Sequence, residues 1–168
     1  RDRALWRDVA LKAPSELVLS SPEILARFTR EARTVARLQH ENIVQVYEFA
    51  VDDDAAYIAM EFVEGKDLKD FVQKPAPGLT VGDFARIFEL SCEGMAYAHE
   101  HGIVHRDIKP HNIMVKALSR GRWRVKVMDF GIAHVDPAAQ FTEMDGQLTA
   151  TGQAIGTPSY MAPEQIRG

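Results

Sequence analysis

Residues 105–112, His105-Arg106-Asp107-Ile108-Lys109-Pro110-His111-Asn112, set a carboxylate, an ammonium and a carboxamide close together in the chain. Pro110 breaks any continuous helix through them, so the stretch reads as a loop that carries chemistry. A second carboxylate follows in Asp129-Phe130-Gly131, at the end of the alternating run Val125-Lys126-Val127 and just before a glycine where the chain must turn. Asn112 and Asp129 therefore flank one hairpin with two hard oxygen ligands. Such ligands suit Mg2+, which keeps several waters and shares its shell with substrate phosphates. The chemistry implied is phosphoryl transfer.

The elements that must position these groups follow from the residue pattern. Val9-Ala10-Leu11-Lys12 predicts a short strand with Ala10 and Lys12 on one side and Val9 and Leu11 on the other. Ser21-Pro22-Glu23 predicts a helix start with an N-cap serine, a first-turn proline and a first-turn acid. That helix is expected to reach about Gln39, with Ile24, Phe28, Val35 and Leu38 on its buried stripe. Glu31 falls on the same stripe. Arg27, one turn earlier, offers it an i to i+4 pair worth only ~0.3–0.5 kcal/mol, which does not require Glu31 to face inward. The β-rich runs Ile43–Phe49 and Ala56–Phe62, separated by Asp52-Asp53-Asp54, complete a small antiparallel unit. Gly65 marks a change from strand to helix, which places a boundary near Glu61–Gly65. Thr80 with Asp83 predicts a capping box for a helix running to about His101, with Phe84, Ile87, Phe88, Met95 and Ala98 on its apolar face. Ile113-Met114-Val115 and Val125–Met128 form the hairpin after the loop, and a polar segment lies between Gly131 and Ala162.

Together with Ala162-Pro163-Glu164, the His-Arg-Asp and Asp-Phe-Gly triplets resemble the signature of the eukaryotic-like (Hanks-type) Ser/Thr protein kinase family, in phrasing closer to its bacterial members. The resemblance implies an α+β, two-lobed kinase fold: a partial small lobe over 1–62, made of antiparallel β-strands and one long helix, and a partial, mainly helical large lobe over 63–168. The glycine-rich phosphate loop expected before Val9 and the helices expected after Gly168 are missing from this sequence, so it reads as a domain truncated at both ends.

By the same resemblance, Lys12 holds the α- and β-phosphates of ATP and is oriented by an ion pair with Glu31, which we prefer here to the Arg27 pair. Ala10 roofs the adenine, Met114 floors it, Met60 guards the rear of the pocket, and the backbone of Glu61-Phe62-Val63 meets the adenine edge. Asp107 accepts or orients the substrate hydroxyl proton, Lys109 neutralises the transferred phosphoryl group, and Asn112 and Asp129 hold Mg2+. His105 and Phe130, with Val35 and Val46, match the apolar column joining the lobes. Thr149 and Thr151 match the activation-segment phosphorylation sites, with Arg106 as a partner for the added phosphate. Lys109 with Gly156-Thr157-Pro158 points to Ser/Thr acceptors on protein substrates. The expected activity is transfer of the γ-phosphate of ATP to those hydroxyls; the alternative is an ATP-binding pseudokinase or scaffold without turnover. Lys12, Asp107 and Asp129 are all present, which argues against a pseudokinase.

Composition narrows the classes further. The chain has 168 residues, 46% hydrophobic and 26% charged, which is enough apolar material for a core of its own. A net charge of -4 and a pI near 5.9 offer no basic footprint for nucleic acid. The single Cys92 cannot form an internal disulfide, fits a reducing, cytoplasmic setting, and reads as a small buried hydrophobe. No apolar run approaches the ~18 residues of a membrane helix, although an anchor elsewhere in a longer protein is compatible with this. His99, His101 and His105 lack a shared face for zinc. Oligomeric state has no signature in the sequence.

Overall fold

The computed structural model describes residues 6–14, 19–52, 55–75, 78–130, 160 and 162–163. Thr149, Thr151, Gly156-Thr157-Pro158, Gly131 and Glu164 lie outside the described residues.

Among the described residues, two three-stranded antiparallel sheets organise the fold. The first has the order β1 (Val9–Lys12), β3 (Ala55–Glu61), β2 (Val46–Asp52), with Ala10 opposite Met60 and Lys12 opposite Ile58. The second has the order β4 (Lys66–Asp67), β5 (Ile113–Ala117), β6 (Trp123–Val127). The hairpin β5–β6 pairs Met114 with Lys126 and Val115 with Val125.

Helix α1 (Pro22–Val35) starts as expected, with Ser21 Oγ accepting from Ile24 N at 3.5 Å and Pro22 in the first turn. It buries Phe28, Ala32 and Val35 against the first sheet. It ends at Val35, four residues before the predicted Gln39. Leu38 still reaches the core, but from the turn that follows. That turn leads into residues 42–45, a strap held to the large-lobe hairpin. Val44 N donates to Val127 O at 2.9 Å and Val127 N to Asn42 O at 2.8 Å. The buried Asn42 side chain adds a bond from Nδ2 to Val125 O at 3.0 Å.

Beyond β3 the chain forms the short α2 (Leu68–Gln73), capped by Asp67, and then α3 (Val81–Glu100). The capping box of α3 is present, Thr80 and Asp83 bonding each other's backbone N–H. Its buried face is Ile87, Leu90, Ser91, Gly94 and Ala98. Phe88, expected on that face, points to solvent, and Cys92 is exposed rather than buried. Both corrections follow from rotation of the stripe: with Ile87 and Gly94 inward, positions one residue after a buried turn face out. Gly94 lets α3 approach the strap, since a Cβ there would stand 2.9 Å from Asn42 O. No described helix is long and apolar enough to cross a membrane.

The main core runs across both sheets. Phe28, Val35, Leu38, Ile58 and Met60 share one buried cluster with Ala98, Val127 and Phe130. A second cluster, Leu68, Phe71, Ile87, Leu90, Ile113, Val115 and Val125, seats the hairpin on α2 and α3.

Candidate active site

The loop between α3 and β5 is held by side chains from its own sequence. His105 is 1% exposed and bonds on both ring nitrogens, Nε2 to Met128 O at 2.9 Å and Nδ1 to Asp107 N at 3.2 Å. A carbonyl can only accept and a backbone N–H can only donate, so the partners specify the neutral tautomer with its proton on Nε2. Burial pushes the His105 imidazole below its ordinary 6.5, outweighing the Met128 carbonyl and the carboxylates of Asp107 and Asp129 that draw it upward. The ring also packs against Phe130, with centroids 4.6 Å apart. Arg106 between these groups takes a left-handed backbone at φ 62. Such conformations in non-glycine residues persist where surrounding contacts enforce them, and they cluster at functional loops.

Asp107 lies at the centre of a polar triangle. Lys109 Nζ stands 2.8 Å from its Oδ2. Asn112 Nδ2 donates to that same oxygen at 3.1 Å and to the Asp107 carbonyl at 2.7 Å. With its amide nitrogen committed to Asp107, buried Asn112 has its carbonyl oxygen as the atom suited to a hard cation. The backbone then links this residue to the second carboxylate: Met128 N donates to Asn112 O at 2.9 Å, and Asp129 follows at once with φ 63. One carboxamide oxygen and one carboxylate on neighbouring backbone fit Mg2+, which is commonly held by one or two protein oxygens and completed by water and phosphate. Among the described residues, no group of three or more His, Cys, Asp or Glu side chains forms a dedicated metal cage.

The ion pair preferred from sequence, Lys12 with Glu31, is not the one formed. Lys12 Nζ stands 2.7 Å from Asp129 Oδ1, while Glu31 Oε1 pairs with Arg27 Nε at 3.5 Å. The helix neighbour wins because it needs no movement between elements, and Lys12 goes to the carboxylate already within reach of the end of β1. Glu31 does face inward: its Oε2 is buried and accepts no hydrogen bond from the described residues.

The remaining positions proposed for the nucleotide fall in two groups. Ala10, Met60 and Val63 pack in or against the main core. Met114 is half-buried in β5, opposite Asp67 and Lys126. Glu61 Oε2 accepts from Lys126 Nζ at 2.5 Å and from Gln45 N at 3.3 Å. Sequence reasoning missed Lys126 and Asn42. The available signal was Lys126 itself, alternating with Val125 and Val127 in a strand whose other face is also covered. A cavity of about 560 Å3 opens beside this site, lined among others by Arg27, Arg30, Glu31, Val104, Arg106 and Phe130.

These features define an α+β protein kinase fold in which a carboxylate paired with a lysine, a buried carboxamide bonded to it and a second carboxylate lie close together. The chain belongs to the protein kinase family: the protein kinase domain profile matches residues 4–168. It is 40% identical over 169 residues to the serine/threonine-protein kinase pkn3 of Myxococcus xanthus, covering 100% of this chain and 30% of that protein. Its structure is similar to the Mycobacterium tuberculosis PknI kinase domain, with a TM-score of 0.65 and 31% identity over 79% of this chain and 51% of that one. It is also similar to Rad53 1–466 in complex with AMP-PNP, with a TM-score of 0.62 and 32% identity over 75% of this chain and 32% of that one. The chain thus spans under a third of the length of that curated relative.

Proposed function

We propose that the protein transfers the γ-phosphate of MgATP to serine or threonine hydroxyls of protein substrates. The observation that carries this is the continuous polar path Lys109–Asp107–Asn112, joined through the Met128–Asn112 backbone bond to Asp129 and Lys12. The solved complex of the similar Rad53 1–466 with AMP-PNP supports a nucleoside triphosphate as the donor.

In this reading Asp107 orients the acceptor hydroxyl and takes its proton as the oxygen attacks the γ-phosphorus, and the bond to ADP breaks. Lys109 offsets charge on the transferred group. Lys12 holds the remaining phosphates, and Glu31 turns from Arg27 to pair with Lys12 during turnover. Asn112 and Asp129 would hold Mg2+, which would supply positive charge to offset that of the phosphates. Ala10, Met60, Met114 and the backbone of Glu61 and Val63 enclose the adenine. General-base help of this kind is worth ~100- to 10,000-fold in rate; the rest comes from positioning and electrostatics. We place the lobe boundary between residues 62 and 63 and the domain in the cytoplasm, where ATP is available. Activation by phosphorylation of Thr149 or Thr151 is part of the proposal. Arg106 shares its cavity with Arg27 and Arg30, a basic lining that suits a phosphothreonine.

The test is transfer of labelled γ-phosphate by the full-length protein, beside Asp107→Asn, Asp129→Asn and the double variant Thr149→Ala, Thr151→Ala. Both aspartate variants should fall below ~1% of wild type. Label on wild type with little on the threonine double variant supports autophosphorylation in the activation segment. MgATP binding with no transfer by any of them would instead indicate a nucleotide-binding scaffold.

A further inference from the structure

Residues 61–65 are gripped at both ends by one hairpin. At the near end, Lys126 Nζ of β6 donates to Glu61 Oε2 at 2.5 Å and to the Ile43 carbonyl at 3.2 Å. Glu61 is fixed again through its backbone, N donating to Gln45 O at 2.8 Å. One ammonium therefore joins the hairpin, the strap and the end of β3. The pair is dry for a lysine and glutamate, the side chains being 12% and 24% exposed. At the far end, Gly65 at φ +148 approaches β5 so closely that a Cβ would lie 2.5 Å from Val115 O. Lys116 of β5 pairs with Glu64 beside it, and its hydrogen bond and charge hold the Glu64 carboxyl below the ordinary carboxylate range. That second pair is more exposed and open to screening by salt.

The same hairpin carries the cation-seeking oxygens. The 3-10 turn Pro110–Asn112 runs directly into β5, and Asp129 follows β6 by two residues. The base-facing segment and the phosphate-facing oxygens are thus referred to one rigid piece of backbone, whose strands are fully paired and seated on α2 and α3.

We propose that Lys126 is a positioning residue for the transfer reaction: it sets residues 61–64 at the separation from Asn112 and Asp129 that lets a nucleotide span both. This role presupposes the ATP-dependent reading given above. It acts on nucleotide binding rather than on the proton-transfer step, because Lys126 contacts Glu61 and the Ile43 carbonyl and not the Asp107 triangle. Lys116 contributes in the same sense but less.

The experiment uses the full-length protein and reads MgATP Kd by calorimetry, with KM and kcat by phosphate transfer. Lys126→Met keeps the aliphatic stem and removes the ammonium, leaving Glu61 Oε2 with only the Gln45 N–H. Kd and KM should rise about tenfold, with kcat changed less than about threefold. Lys126→Arg should restore most of the affinity. Adding Glu61→Gln to Lys126→Met should cost less than about twofold more, since the pair is already broken. Lys116→Met should cost less than about threefold and nothing at ~0.5 M NaCl. A KM within twofold of wild type, or a loss confined to kcat, would overturn the role. If Lys126→Met does not fold, Glu61→Gln and Lys126→Arg decide: affinity lost in the first and kept in the second supports it, and equal affinities overturn it. Wild-type protein that binds no MgATP would overturn the ATP-dependent reading itself, a failure distinct from a tight-binding Lys126→Met.

Discussion

Replacing Asn112 by aspartate changes one atom's chemistry at the centre of the candidate site and should be costly. Asn112 is 5% exposed, and its Nδ2 donates to Asp107 O at 2.7 Å and Asp107 Oδ2 at 3.1 Å. Asn112→Asp removes both donors, a loss of about 2 kcal/mol. It also sets two carboxylates about 3 Å apart. At an effective dielectric near 20 their repulsion is ~5 kcal/mol, so holding one carboxyl protonated at pH 7, at ~4 kcal/mol from an ordinary value near 3.9, is the cheaper route. Lys109 Nζ, 2.8 Å from Asp107, offsets part of this. The net loss should be ~3–5 kcal/mol, close to the whole stability of a marginal domain. Urea unfolding at pH 7 in EDTA reads it directly. A carboxyl whose folded value is raised above its unfolded one destabilises most at high pH, so Asn112→Asp should recover as pH falls from 7 to 5. Millimolar Mg2+ should also restore stability at pH 7, because a divalent cation on these oxygens replaces the lost donors. A loss below about 1 kcal/mol, or an equal loss at both pH values that Mg2+ leaves unmoved, would refute the arrangement of Asn112 against Asp107 and the assignment of a cation to it.

Three further outcomes are expected. Folded His105 titrates below its ordinary 6.5, so an unfolded chain binds a proton that the folded one refuses; stability is fully present above about pH 6.5 and falls below it. His105→Phe should flatten that fall in thermal unfolding followed from pH 7 to pH 5, and an unchanged slope would exclude His105 as its source. Gly65→Ala places a Cβ 2.5 Å from Val115 O at φ +148 and should cost at least ~2–3 kcal/mol in urea unfolding. Glu31→Gln gives up only an i,i+4 pair with Arg27, so unfolding should move by less than ~1 kcal/mol, while phosphate transfer should fall at least about tenfold if Glu31 meets Lys12 in turnover.

Local rules carried much of the fold. The N-cap at Ser21, the capping box at Thr80 and Asp83, and strands on either side of the loop after Ala117 all depend on a few adjacent residues and appear where expected. The end of α1 did not, because Leu38 satisfies the same apolar period whether it continues the helix or folds back from a turn. The short β4 was not legible either: two residues carry no period, and Lys66–Asp67 is a strand only because β5 lies beside it. Within the site, residue identities were readable and partners were not. Lys12 and Asp129 are brought together from separate elements while Glu31 stays with Arg27 on α1, and which carboxylate takes the lysine depends on how β1, α1 and the end of β6 pack, which no local pattern carries. Lys126 was hidden for the same reason, since Glu61 is 65 residues away in the chain.

The charges at the site are neutralised in pairs, and this has a mechanical consequence. Arg27 faces Glu31 at 3.5 Å, Lys109 faces Asp107 at 2.8 Å and Lys12 faces Asp129 at 2.7 Å. The looser, more exposed Arg27 pair is the weakest of the three, so Glu31 is the carboxylate most easily recruited elsewhere. Lys12 is the ammonium it can be recruited to, provided something else satisfies Asp129. In the proposed reaction a divalent cation held by Asp129 would do that, and the phosphates it draws in would then meet a Lys12 ammonium released from Asp129. On that proposal metal and nucleotide binding would be coupled through Lys12, and the coupling would be reciprocal because it is a difference of binding free energies. On the role proposed for Lys126, the hairpin would hold residues 61–65 in place while these partners exchange.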